Sequence, residues 1–138
     1  MKISMANRII LSLGSNTDQE RNIADAGHLL DSSFVSISFS VPVYTVPINI
    51  SCSGHFLNQV AIAFTEEGPD EVNYRLKQIE RQLRRTPEGN ATGVIPIDID
   101  LLQWNDLILK PEDLQRDYVK AGIRFLQEIE SGGHQKIN

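Results

Sequence analysis

The stretch Ile97-Asp98-Ile99-Asp100-Leu101-Leu102 alternates apolar and acidic residues and then turns wholly apolar. That alternation has the period of a β-strand with one greasy face. Side chains two apart on a strand point the same way, roughly 6.6 Å apart. Asp98 and Asp100 therefore share one face, while Ile97, Ile99 and Leu101 share the other. Two carboxylates side by side repel unless a cation lies between them. Mg²⁺ takes such hard oxygen ligands, usually with substrate phosphates completing its shell. A solvated acidic edge strand is the commoner explanation of an isolated Asp-x-Asp, so the flanking chain has to decide.

Just upstream, Thr86 to Gly93 reads as a polar loop punctuated by Pro87, Gly89 and Gly93. Before it, Gly68-Pro69-Asp70 opens a helix in which Val72, Leu76, Ile79 and Leu83 recur at spacings of four, three and four. The other faces of that helix carry Arg75, Lys77, Glu80, Arg81, Arg84 and Arg85. Glu80 and Arg84 have the spacing of an i,i+4 ion pair, and the basic end complements the helix dipole. A basic helix end, a flexible loop and an acidic strand in succession suit a polyphosphate with its metal.

Nearer the N-terminus, Arg8 to Leu13 is a short β-rich run ending at Gly14. Gly14-Ser15-Asn16-Thr17-Asp18 supplies turn and capping residues, and a helix follows with Ile23, Ala26, Leu29 and Leu30 on one stripe. Gly14 either lets a ligand approach the backbone or simply makes a tight turn. Phe34 to Val43 reads as a second strand whose end, at Pro42, is an edge or a bulge. Tyr44 to Gly54 has the length of a binding loop. Phe56 to Phe64 is a strand with Phe56, Asn58, Val60, Ile62 and Phe64 on one face. Asn58 is the odd member of that row, and its amide needs partners: a flat heterocycle, a backbone carbonyl or an ordered water.

Downstream of the aspartates, Trp104-Asn105-Asp106 suggests a turn and Leu107 to Leu109 a short extension. Pro111 to Ile129 reads as one helix with Leu114, Tyr118, Ala121, Phe125 and Ile129 as its apolar contributors. The order strand, helix, strand, strand, helix, strand, helix predicts an α+β, ferredoxin-like βαββαβ fold. Its sheet is mainly antiparallel with helices on one face, plus a C-terminal helix. One domain covers residues 1–130, and 131–138 is expected to be a disordered tail.

The bulk numbers agree with a soluble globular domain: 138 residues, 41% apolar and 22% charged. A formal charge of −5 argues against a general nucleic-acid binder. No apolar run reaches membrane-spanning length, and no signal-peptide core follows Met1-Lys2-Ile3. Cys52 is the sole cysteine, so no internal disulfide forms, and a reducing, cytoplasmic setting is the simplest expectation. His28, His55 and His134 are too scattered for a metal cluster, and no Walker-type phosphate loop is present.

Five pieces then stand in a familiar order: Leu13-Gly14-Ser15-Asn16, Val43-Tyr44-Thr45, Phe56-Leu57-Asn58, Ile79-Glu80 and Ile97 to Leu102. Together they resemble the 6-hydroxymethyl-7,8-dihydropterin pyrophosphokinase family of folate biosynthesis, over roughly residues 8 to 130. The resemblance implies transfer of a pyrophosphoryl group from ATP to the pterin's hydroxymethyl oxygen, leaving AMP. It implies small-molecule substrates, no nucleic acid and no membrane. On it, Asp98 and Asp100 hold two Mg²⁺ ions and, with Arg85, form the catalytic group. Asn58 reads the pterin edge, Phe56 and Tyr118 flank the ring, and Pro47 lines the same pocket. Lys77, Glu80, Arg85, Leu101 and Arg116 fall at nucleotide-binding positions.

The chain also departs from the family. A tryptophan and a proline-arginine pair usually precede the aspartates, where this chain has Thr92, Val94 and Ile95. Isoleucine does not replace a bidentate grip on phosphate. Pro111-Glu112-Asp113 stands where a His-Pro pair is usual, and the loop around Val46 and Pro47 runs a residue short. Arg84 and Arg85 are the candidates to compensate. The alternative implied is a weak or inactive paralogue that keeps the pterin pocket as a binding module.

Overall fold

The computed structural model describes residues 6–46 and 55–136, the side chains of 132–136 excepted. Its strands and helices, in chain order, are β1 (Asn7–Ser15), α1 (Gln19–Asp31), β2 (Ser36–Phe39), β3 (Val43–Thr45), β4 (Phe56–Thr65) and α2 (Pro69–Gln82). There follow α3 (Pro87–Thr92), β5 (Asp98–Trp104), β6 (Leu107–Ile108), α4 (Pro111–Leu114) and α5 (Asp117–Lys136). The sheet order is β2-β4-β1-β5-β6, with β3 also on β4, and every pairing is antiparallel. This is the expected ferredoxin-like α+β arrangement, since β4 lies between β1 and β2 and β5 lies on the other side of β1.

Local chemistry explains the elements. The β-rich run Arg8 to Leu13 sits in β1, paired on both sides, where both of its faces are covered. Pro42 has no N–H to donate, so the edge strand breaks there into β2 and β3, both lying along β4. The α2 stripe of Val72, Leu76 and Ile79 is buried as its spacing requires. These residues and Ile23, Ala26 and Leu30 of α1 pack on Leu11 and Leu13 of β1, Ala61 and Ala63 of β4, and Ile99 and Leu101 of β5. Each such large aliphatic side chain contributes about 1.5–3 kcal/mol by its burial.

The second face carries α5. Val119 and Leu126 pack on Ile10, Val60, Ile62 and Leu102. The C-terminal helix thus closes the face opposite α1 and α2. A Cβ on Gly122 would stand 2.9 Å from Val60 Cγ2, so glycine is what lets α5 sit this close to the sheet.

Three expectations are corrected. The span Pro111 to Ile129 is two helices, because the turn at Gln115 and Arg116 separates α4 from α5 and resets the phase. Val119, Gly122 and Leu126 therefore face inward, whereas Ala121, Phe125 and Ile129 are exposed. The expected tail is instead helical through Lys136. Propagating an existing helix adds one hydrogen bond per residue, and that carries α5 through Gly132 and Gly133. Finally, Thr86 to Gly93 holds α3, not plain loop: Thr86 Oγ1 accepts the Gly89 N–H, Pro87 takes the first turn, and Gly93 ends it at φ 84°.

Candidate functional site

The sheet register lines up three strands on the face that α5 covers. Ile62 of β4 lies beside Ile10 of β1; one step on, Val60, Ser12 and Asp100 align; the next step brings Asn58, Gly14 and Asp98 together. Side chains on the central strand shrink from Ile10 to Ser12 to Gly14 while the neighbours turn from apolar to polar. A β-bulge between Ile10 and Leu11 leaves Leu102 without a partner at the apolar end. At the Gly14 step the central strand carries no side chain, and a Cβ there would meet Asn58 Oδ1 at 3.2 Å and Phe56 at 3.5 Å.

Asn58, only 4% exposed, donates from Nδ2 to Thr45 Oγ1 at 2.6 Å and to the Phe56 carbonyl at 3.3 Å. Protein groups thus orient the amide. A cavity of about 170 Å³ adjoins it, lined by Val41, Val43, Tyr118, Gly122 and Phe125 among others. The Arg116 guanidinium stands 4.8 Å over the Tyr118 ring, a cation–π contact. Burial pushes the Tyr118 hydroxyl above its ordinary pKa, and Arg116 partly offsets this.

On the other side of Gly14, Asp98 Oδ1 accepts from Arg85 Nη1 at 2.7 Å. The same nitrogen lies 3.3 Å from Glu80 Oε2, and Arg85 Nε donates to Asn90 Oδ1 at 2.9 Å. Glu80, 5% exposed, also accepts the Ile99 N–H at 2.9 Å, tying α2 to the strand between the two aspartates. Burial raises the Glu80 pKa; the Ile99 N–H and Arg85 oppose the rise. The expected Glu80–Arg84 pair is replaced by Glu80–Arg85. Arg84 takes a left-handed φ of 75°, and the Arg85 N–H returns to the Glu80 carbonyl at 3.0 Å, which folds Arg85 back over the helix end. Lys77 reaches Glu80 at 3.9 Å from the exposed side.

Asp100 has a different environment. Burial, reinforced by the charge of Asp98, pushes its carboxyl up to about 6, and Lys110 Nζ at 3.5 Å partly offsets this. Two adjoining carboxylates, one of them hard to ionise, form an all-oxygen donor set that attracts a divalent cation, so the residues fit Mg²⁺. Among the described residues no three His, Cys, Asp or Glu side chains gather into a metal site. An ion held by these two residues would need water or phosphate to complete its shell.

A model of the 7,8-dihydro-6-hydroxymethylpterin-pyrophosphokinase (HPPK) family matches residues 10–130. The chain belongs to that family. It is 31% identical over 129 residues to the 2-amino-4-hydroxy-6-hydroxymethyldihydropteridine pyrophosphokinase of Porphyromonas gingivalis, covering 83% of this chain and 87% of that one. It is 35% identical over 128 residues to a mitochondrial folate synthesis bifunctional protein of Pisum sativum, covering 86% of this chain and 25% of that one. A folate synthesis bifunctional protein of Arabidopsis thaliana is 29% identical over 139 residues, with 94% and 29% covered. The chain spans 25% and 29% of the length of these two plant relatives.

Within this HPPK fold, most of the residues singled out in the sequence converge. Asp98, Asp100, Arg85, Glu80 and Lys77 form one charged chain, and Asn58, Phe56 and Tyr118 lie on the same side of the sheet. Arg116 joins them through Tyr118. Leu101 does not: strand parity turns its side chain into the core under the helices, leaving only its main chain for a ligand. Pro47 and Cys52 lie outside the described residues. Ile95, at the place of the usual arginine, is buried. Its N–H donates to Asn16 Oδ1 at 2.7 Å and its carbonyl accepts the Asn16 N–H at 3.0 Å, while Asn16 Nδ2 donates to the Gly93 carbonyl at 2.6 Å.

Sequence reasoning missed Asn16 as the fastener of this loop and Lys110 as the partner of Asp100. The second was within reach. A two-residue turn at Asn105-Asp106 pairs Trp104 with Leu107 and Gln103 with Ile108, and counting onward brings Lys110 back beside β5.

Proposed function

We propose that the chain transfers a pyrophosphoryl group from ATP to 6-hydroxymethyl-7,8-dihydropterin, giving AMP and the pterin diphosphate. The observation that carries this reading is the aligned row Asn58, Gly14 and Asp98. It sets an oriented amide across a side-chain-free position from the first of two carboxylates. In the reaction the pterin hydroxyl oxygen bonds to the β-phosphorus, the bond from that phosphorus to the α-bridging oxygen breaks, AMP leaves, and the hydroxyl proton passes to solvent.

Asp98 and Asp100 would hold Mg²⁺, two ions in our reading, which supplies charge neutralisation and in-line alignment of the reacting groups. Asn58 hydrogen-bonds the pterin edge, Phe56 and Tyr118 cover the ring faces, and Pro47 belongs to the same pocket. Arg85, aimed at the carboxylates, and Arg116, beside Tyr118, meet nucleotide phosphate. Lys77 extends that cationic side. Glu80 holds Arg85 and the strand in place, and Leu101 offers its main chain. The partners are small molecules, and the reducing cytoplasm suits a chain with one cysteine.

One observation favours a second reading, a pterin-binding relative with little transferase activity: Ile95 is buried where the family usually presents an arginine. AMP release by the purified chain with Mg²⁺ and ATP, with and without the pterin, separates the two. Pterin-dependent AMP supports transfer. Pterin binding without AMP supports the binding module.

A further inference from the structure

We infer that Lys110 supplies the phosphate-binding cation that the loop before the aspartates no longer carries. This rests on the pyrophosphokinase reading above and names a positioning group for its triphosphate.

Three observations converge. First, the usual source is closed: Asn16 fastens Gly93 and Ile95 through three hydrogen bonds, and the Ile95 side chain is buried, so that loop presents no cation to the aspartate face. Second, the other cations stand elsewhere. Arg85 is held by Asp98, Glu80 and Asn90 and serves only one end of the carboxylate pair, and Arg116 lies over the Tyr118 ring. Third, Lys110 is held by its backbone at the other end. The Lys110 N–H donates to the Leu102 carbonyl at 3.1 Å, its carbonyl accepts the Leu114 N–H at 3.2 Å, and Pro111 fixes the start of α4 directly after it.

From that anchor the ammonium reaches Asp100 Oδ1 at 3.5 Å with its side chain about half exposed. An ion pair this open contributes little to stability. It does place a mobile positive charge on the outer side of Asp100, opposite Arg85 on Asp98. A polyphosphate drawn to metal on the two carboxylates meets a cation at each end. When metal takes Asp100, the ammonium exchanges that carboxylate for phosphate oxygen. Lysine suits this exchange, since its flexible stem and point charge need no fixed bidentate geometry.

The test is calorimetric binding of α,β-methylene-ATP with Mg²⁺ to the wild-type chain, Lys110→Met and Lys110→Arg, with Mn²⁺ alone and the pterin alone as further probes. Lys110→Met is expected to lose roughly 10- to 100-fold in affinity for the analogue. Its Mn²⁺ affinity stays equal or rises, because a competitor for Asp100 is gone, and its pterin affinity is unchanged. Lys110→Arg restores most of the analogue binding. Equal analogue affinity in wild type and Lys110→Met overturns the inference and leaves the pyrophosphokinase reading intact. No analogue binding by the wild-type chain, with the pterin still bound, overturns both.

Discussion

The two faces of this sheet are built from the same strands and do different work. On the face under α1 and α2, Leu11, Leu13, Ala61, Ala63, Ile99 and Leu101 form an unbroken apolar layer. On the face under α5, apolar packing stops halfway: Ile10, Ile62 and Leu102 give way to Ser12 and Asp100, then to Gly14, Asn58 and Asp98. Burying carboxylates under a helix would cost several kcal/mol each. The open half therefore exists at the expense of core, which the first face and the packing of Val119 and Leu126 on the sheet supply. A larger groove of about 570 Å³ lies outside the first face between α1 and α2, but its charged pair, Arg75 and Glu67, is already matched bidentately at 2.6 Å. Size alone does not mark the site; the adjoining carboxylates of Asp98 and Asp100 do.

That contrast can be broken by substitution. Leu126→Ala, in the covered half, should lose about 2–5 kcal/mol in denaturant unfolding while the folded fraction keeps its specific activity. Asp98→Ala, in the open half, should do the reverse: AMP release falls on the order of 100- to 1000-fold with the unfolding midpoint little changed. A stability loss matching that of Leu126→Ala would show that the open half is structural. Asn58→Ala comes next, with pterin affinity down roughly 10-fold and kcat at saturation less affected, measured by titration and steady-state rates.

The smallest effect sharpens the comparison through pH. Asp100 ionises at about 6 in the fold, against an ordinary 3.8. Between those values the folded chain holds a proton that the unfolded chain has lost, so this group's contribution to stability grows as pH falls through that window and is lost as pH rises. In the absence of Mg²⁺, Asp100→Asn should be the more stable chain at pH 7, and the difference should shrink towards pH 4. Unfolding midpoints of both chains at pH 4.5 and 7 check the sign.

Much of this was legible in the chain itself. Period-two alternation across Ile97 to Leu102 and Phe56 to Phe64 located the faces of β5 and β4, because strand parity is local and leaves no freedom. The α2 stripe was equally clear, since Val72, Leu76, Ile79 and Leu83 lie within one uninterrupted helix and its cap. The α5 stripe was misphased because nothing in Leu114-Gln115-Arg116-Asp117 announces a break, and one turn outside the helix rotates every later residue. The choice of Arg85 over Arg84 as partner of Glu80 was hidden for a related reason: it depends on a left-handed residue at the helix end, not on side-chain spacing. Lys110 meets Asp100 only once a hairpin has folded, so spacing along the chain does not show it directly.

Amide chemical-shift perturbation, with the pterin and Mg²⁺–α,β-methylene-ATP added in turn, maps which face of the sheet takes the substrates. The shifts are expected to gather at Gly14, Asn58, Asp98 to Asp100, Lys110 and Tyr118. Shifts gathered instead at Leu29, Tyr74 and Gln78, in the groove between α1 and α2, would contradict this placement of the site.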